Sequence, residues 1–117
     1  MKTKEELPAC PVATAVSLIG GKWKLLILRN LKARPWRFNE LKRDLEGVSQ
    51  KVLTAQLRQM EESGLLTRTV YPEVPPRVEY SITSKGRSLE QILELMCEWG
   101  EKNMDERFEL INPQCMQ

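Results

Sequence analysis

The 117-residue chain has room for one domain of ordinary size, and its 41% apolar and 29% charged residues suit a modest core rather than a disordered chain or a membrane protein. Lys and Arg number 18 against 16 Asp and Glu, a formal +2 that is too small for the whole molecule to behave as a polycation. Histidine is absent, which excludes imidazole acid/base work, Ser-His and Cys-His nucleophile pairs and nearly every catalytic zinc site.

Met1 to Cys10 (MKTKEELPAC) is polar, with two Lys and two Glu, where a signal peptide would be hydrophobic. No stretch approaches the roughly 18 to 20 apolar residues of a membrane span, so a cytoplasmic location is expected. Pro11 suits a first helical position, and Val12, Ala13, Ala15, Val16, Leu18 and Ile19 continue a short helix to the break at Gly20-Gly21. Lys22 to Leu31 (KWKLLILRNL) is apolar over most of its circumference and should be the central helix. Gly20-Gly21-Lys22 fails as a phosphate loop, because Val16 stands where the first glycine belongs and Trp23 where Ser or Thr would bind magnesium. After the break at 33–36, Arg37-Phe38 suggests a short strand, and Asn39 can cap a helix running to Leu45.

Gly47 ends that helix and Ser49 is placed to cap the next, which leaves the short turn of a helix-turn-helix. Over Ser49 to Ser63, Leu53, Leu57 and Met60 share one face, and Gly64 supplies the stop. Opposite that face lie Lys51, Ala55 and Arg58, with Thr54 and Gln50 at its shoulder. Residues 65–74 and 77–83, rich in β-branched and aromatic side chains, flank Pro75-Pro76 and predict a hairpin with a stiff, protruding tip. Thr83 or Ser84 then caps a last long helix with an apolar stripe of Leu89, Ile92, Leu93, Met96 and Trp99, and an outer face of Glu90, Glu94, Glu98 and Glu101. Residues 112–117 read as a frayed tail. The fold class expected is mainly α with a small β-hairpin, a winged helix-turn-helix.

The charge is segregated along this order. Residues 22 to 58 hold ten basic and three acidic residues, whereas residues 84 to 117 hold four and seven. A basic first half joined to an acidic helical end suggests an anion-binding face and a separate surface with other work to do.

Particular residue blocks add to the pattern. Cys10-Pro11, Gly20-Gly21-Lys22-Trp23, Arg37-Phe38-Asn39-Glu40-Leu41, Ser49-Gln50-Lys51-Val52-Leu53-Thr54, Leu57-Arg58, the run from Tyr71 to Tyr80 (YPEVPPRVEY) and Trp99-Gly100 together resemble the HxlR-type family of bacterial and archaeal transcriptional regulators. The resemblance covers Cys10 to Lys102, most of the chain. It implies a homodimer assembled through N- and C-terminal helices, binding double-stranded DNA at operators built as inverted repeats. Members act as repressors or activators. Some use the N-terminal cysteine, here Cys10, to sense oxidants or electrophiles such as quinones and aldehydes, and others do not.

Base readout in the major groove needs Arg or Lys for guanine, Gln for adenine and Thr for a thymine methyl. Gln50, Lys51, Thr54 and Arg58 supply that set, whereas an isolated helix of this kind would carry them as a solvated face. Ser49 caps and touches phosphate. Lys32, Arg37, Lys42 and Arg43 suit backbone phosphate. Arg68 and Arg77 lie on the wing, where an arginine either enters a narrow minor groove or pairs across strands with Glu73 or Glu79. Both readings stand for Arg68, while Arg77 favours the groove.

Three cysteines at wide spacing, Cys10, Cys97 and Cys115, fit neither a disulfide framework nor a metal site and should be thiols. Cys10 has the position of an N-cap before Pro11, where the helix dipole and unpaired amides favour a reactive thiolate. The alternative is a small cysteine packed at a dimer seam. Cys97 is read as packing. Trp23 and Trp99 are read as core or interface, and the amphipathic last helix motivates a homodimer, because a monomer would leave its Leu, Met and Trp stripe poorly covered.

The domain expected is 10–102, a winged helix-turn-helix, followed by 103–117 as helix end and tail. The function expected is a sequence-specific regulator on an inverted-repeat operator, not an enzyme, with no cofactor and no metal. The alternatives are a regulator of the same fold that responds to a small molecule without thiol sensing, or a winged-helix module that binds protein instead of DNA.

Overall fold

The computed structural model describes residues 10–104, in the order α1 (Pro11–Ile19), α2 (Lys22–Ala33), β1 (Trp36–Arg37), α3 (Phe38–Asp44), α4 (Gln50–Glu62), β2 (Leu66–Tyr71), β3 (Arg77–Ile82), α5 (Ser84–Arg87) and α6 (Glu90–Asn103). Cys115 and the tail expected over 112–117 lie outside the described residues. The three strands form one antiparallel sheet in the order β1-β3-β2. The architecture is a winged helix-turn-helix, with β2 and β3 as the wing and β1 as a third strand against β3. Among the described residues no single helix is long and apolar enough to cross a membrane.

The core forms where the apolar stripes of α2, α3 and α4 meet the inner face of the sheet. Ile27, Leu28 and Leu31 of α2, Leu41 of α3, and Leu53, Leu57 and Met60 of α4 are buried. Each such side chain contributes about 1.5–3 kcal/mol relative to an exposed one. From β3 only Tyr80 is buried. The break at Gly20-Gly21 turns α1 by 77° from α2, so α1 does not extend the central helix, although its last residue, Ile19, stays in the core.

Three local expectations are corrected. The first strand is Trp36–Arg37, one residue earlier than expected, and Asn39 does not cap α3. Arg37 is the N-cap, because Glu40 at N3 reaches back to accept its backbone N–H at 2.9 Å, one half of a capping box. The first wing strand ends at Tyr71, short of the expected 74.

The last helix is split. Thr83 caps only α5, its hydroxyl accepting the Gly86 N–H at 3.0 Å, and Ser88-Leu89 separate α5 from α6. Gly86 explains the break, since a Cβ there would run into the Leu65 carbonyl oxygen and the Ile82 side chain. This close approach seats α5 against the sheet. No residue of α6 is fully buried, and Leu95, a position outside the expected stripe, is exposed as well.

Candidate nucleic-acid interface

The helix-turn-helix is held from below by a polar cluster between α2 and α3. Asn30 Nδ2 donates to Asp44 Oδ2 at 2.8 Å, Arg29 Nη2 donates to the same oxygen at 3.3 Å, and Arg29 Nε and Nη2 donate to Asn30 Oδ1 at 3.1 and 3.0 Å. The cluster fixes the C-terminal end of α3 against the central helix. Asn30 is 6% exposed, so its amide has no water to fall back on. Sequence reasoning missed this cluster; the signal was a lone Asn in the apolar run of α2.

The turn follows. The Leu45 N–H bonds the Leu41 carbonyl at 2.8 Å, and the Val48 N–H bonds the Leu45 carbonyl at 3.1 Å. Gly47 takes φ 91°, a backbone conformation that disfavours any residue with a Cβ, and Val48 tucks into the core. Ser49 then starts α4 as its N-cap, its hydroxyl accepting the Val52 N–H at 3.1 Å. The capping role expected of Ser49 is therefore present.

With Leu53, Leu57 and Met60 turned inward, α4 presents Gln50, Lys51, Ala55 and Arg58 to solvent, and Thr54 is half-buried at the edge of that face. Among the described residues neither Lys51 nor Arg58 forms an ion pair. Lys42 and Arg43 are exposed in the last turn of α3, where they also complement the helix dipole. Lys32 is half-buried at the end of α2.

The structure reverses the expectation for Arg77 and leaves Arg68 without the cross-strand pair that was its alternative. Arg77 pairs with Glu73 at 3.3 Å and Glu79 at 3.7 Å, and its guanidinium lies 4.0 Å from the centre of the Tyr71 ring. Arg68 is exposed and forms no ion pair among the described residues. The difference follows from register: Arg77 stands opposite Tyr71 and two residues before Glu79 on the same face of β3, whereas Arg68 stands opposite Tyr80. Arg37 on β1 is paired with Glu79 at 3.9 Å.

At the far end of the chain Cys10 is exposed and is the N-cap of α1 ahead of Pro11. Its sulfur makes no bond of capping geometry, yet the backbone amides of Ala13 and, second, Val12 favour the thiolate and hold the thiol below its ordinary value. Cys97, half-buried on α6, lies 3.5 Å from a carboxylate oxygen of Glu101.

Residues 18–108 match the HxlR-like helix-turn-helix family. The chain belongs to that family. An HTH-type transcriptional regulator of Methanothermobacter thermautotrophicus is 54% identical over 91 residues, covering 78% of this chain and 70% of the relative. The redox regulator HypR in its oxidised form is 47% identical with a TM-score of 0.77, over 82% of this chain and 99% of that one. The reduced form of the transcriptional regulator YodB from B. subtilis is 33% identical with a TM-score of 0.73, over 87% and 100% respectively.

As an HxlR-like helix-turn-helix protein the chain is a transcriptional regulator, not an enzyme. The α3-turn-α4 unit described above is the HxlR-like helix-turn-helix itself. Cys10 lies ahead of the matched span.

Proposed function

We propose that the chain is a sequence-specific regulator that binds double-stranded DNA as a homodimer on an inverted-repeat operator, with residues 10–102 as the functional unit. The observation that carries this is the solvent face of α4. Gln50, Lys51 and Arg58 stand free on a helix whose opposite face is locked into the core, with Thr54 at the margin. Such a helix enters a major groove with donors for guanine and adenine edges. Ser49, Lys42, Arg43 and Arg37 surround it with groups for backbone phosphate, and Arg77 and Arg68 extend the contact along the wing.

Dimerisation is supported by two apolar faces that a lone protomer leaves in water. On α1, Val12 and Val16 are 71% and 58% exposed, and on α6, Trp99 and Leu95 are 69% and 57% exposed. Contiguous exposure of this kind marks an interaction surface. Two recognition helices carried on a two-fold axis read half-sites about 34 Å apart.

Cys10 is the candidate sensor. It is exposed, it starts a helix, and the amides ahead of it favour the nucleophilic form. It also starts the helix that carries the exposed valines, so a modified sulfur would disturb the same surface that sets the spacing of the two recognition helices. A relative described as a redox regulator adds weight to thiol sensing by an oxidant or small electrophile.

The deciding experiment recovers bound fragments from a random-sequence duplex pool and titrates the recovered duplex against salt. Affinity falls steeply as salt rises if several phosphates are contacted, and Lys51→Ala or Arg58→Ala lowers discrimination between recovered and random duplex. Binding that ignores salt, or no retained duplex at all, overturns DNA binding. Treatment with diamide or methylglyoxal then reduces or raises operator affinity in the wild-type chain only; an equal response in Cys10→Ser overturns the sensing role.

A further inference from the structure

Glu79 lies on β3 between the other two strands, opposite Arg37 on β1 and Thr69 on β2. Arg77 is two residues away on the same strand and therefore on the same face of the sheet. One carboxylate oxygen, Glu79 Oε2, is 3.9 Å from Arg37 Nε and 3.7 Å from Arg77 Nε. Arg77 Nε is buried and makes no hydrogen bond, so Glu79 holds that side of the guanidinium by charge rather than by a directed bond.

The two arginines belong to different parts of the fold. Arg37 is the N-cap of α3, fixed through its own N–H by Glu40, and so begins the helix-turn-helix. Arg77 begins the return strand of the wing and is held there by Glu73 and the Tyr71 ring as well. Glu79 and Arg77 are 23% and 28% exposed in their side chains, against 54% for Arg37, so the shared carboxylate is more shielded than a surface ion pair.

A carboxylate beside groups that face a polyanion repels that polyanion. If Glu79 acted through its charge alone, removing the charge would tighten DNA binding. Its placement between two cations of separate elements suggests the opposite effect. Resting on the DNA-binding reading above, we infer that Glu79 is a positioning residue, one carboxylate oxygen yoking Arg37 of the helix-turn-helix to Arg77 of the wing so that both meet the DNA backbone as one unit. The arginines touch the phosphates, and Glu79 acts only through them.

The test uses the full chain and a duplex recovered by the wild-type protein from a random-sequence pool. Glu79→Gln removes the charge and keeps the size. Its affinity is expected to fall roughly 3- to 10-fold in spite of the added net positive charge, and the salt slope to lose about one phosphate contact. In an Arg37→Gln, Arg77→Gln background the same change is expected to have no further effect, which a residue acting elsewhere would not show. Equal or tighter binding by Glu79→Gln, or a loss undiminished in that background, overturns the inference.

Thermal unfolding checks that Glu79→Gln is folded. Should it not fold, Arg37→Gln alone carries the test: hydroxyl-radical protection of the duplex beside the wing is expected to weaken although Arg77 is intact, and unchanged protection overturns the yoke. A wild-type chain that retains no duplex overturns the DNA-binding reading itself, an outcome separate from a wild-type chain that binds and a Glu79→Gln variant that binds as well.

Discussion

Asn30 Nδ2 donates to Asp44 Oδ2 at 2.8 Å, and through this bond the central helix holds the end of the first helix of the helix-turn-helix. Arg29 bonds both partners, so Asp44 receives two donors from α2 and Asn30 has its carbonyl oxygen filled. The cluster sits beneath the turn that sets the angle of α4, which makes its loss a matter of function as well as stability.

Asn30→Ala is expected to destabilise the fold by about 1–3 kcal/mol, because Asp44 and Arg29 lose a buried partner while remaining sheltered from water. For a domain of this size each kcal/mol lowers Tm by roughly 4–8 °C. Differential scanning calorimetry reads the shift, and an unchanged Tm would mean that water replaces the amide at no cost.

Trp99→Glu is expected to convert a dimer into a monomer at micromolar concentration, and to weaken operator binding with it. The indole is 69% exposed in the protomer, so the substitution places a charge on the apolar face without emptying the core. Sedimentation equilibrium distinguishes the two states. A monomeric wild-type chain would remove the dimer from the proposed function.

Cys10 should react with iodoacetamide along a pH curve whose midpoint lies below the ordinary thiol value of about 8.5. The amides of Ala13 and Val12 stabilise the anion, so at neutral pH a larger share of Cys10 than of a free thiol is thiolate. Alkylation rates of Cys10 against a short cysteine peptide, across pH 6 to 10 in order of magnitude, measure this. Identical curves would show that the helix start does not activate the sulfur.

Glu40 links pH to stability at the acid end. The Arg37 backbone N–H, and with it the Arg34 guanidinium, hold its carboxyl below the ordinary carboxylate value. With the folded pKa lowered, its contribution is complete above the unfolded value of about 4.3 and is lost as pH falls through the lowered folded value. Glu40→Gln should therefore cost stability at neutral pH, on the order of 1 kcal/mol, and the gap to wild type should close in strong acid. Urea midpoints across that range decide it; a gap independent of pH would mean that the carboxylate charge is irrelevant to the cap.

Much of the candidate interface was legible because helices advertise their faces. The spacing of Leu53, Leu57 and Met60 assigned the buried side of α4, and that side left Lys51 and Arg58 nowhere to go but solvent. Ser49 and Gly47 were legible for a related reason, since a cap and a positive φ each demand particular residue types. The break between α5 and α6 was not legible: Gly86 looks like a tolerated glycine in a helical pattern until the Leu65 carbonyl is seen against it.

The wing arginines mark the boundary between the two kinds of information. By itself the sequence determined the order of the elements through the wing, the buried and solvent faces of α4 and the N-cap position of Cys10, because all of these follow from neighbours within one turn or one strand. Only the tertiary structure decided that Arg77 is held by Glu73, Glu79 and Tyr71 while Arg68 stands free, that Asn30 reaches Asp44, and that Glu79 joins Arg37 to Arg77. The Asn30–Asp44 and Arg37–Glu79 contacts depend on helix packing and strand pairing across 14 residues or more, and the choice between Arg77 and Arg68 depends on the register of β2 against β3, none of which local periodicity supplies.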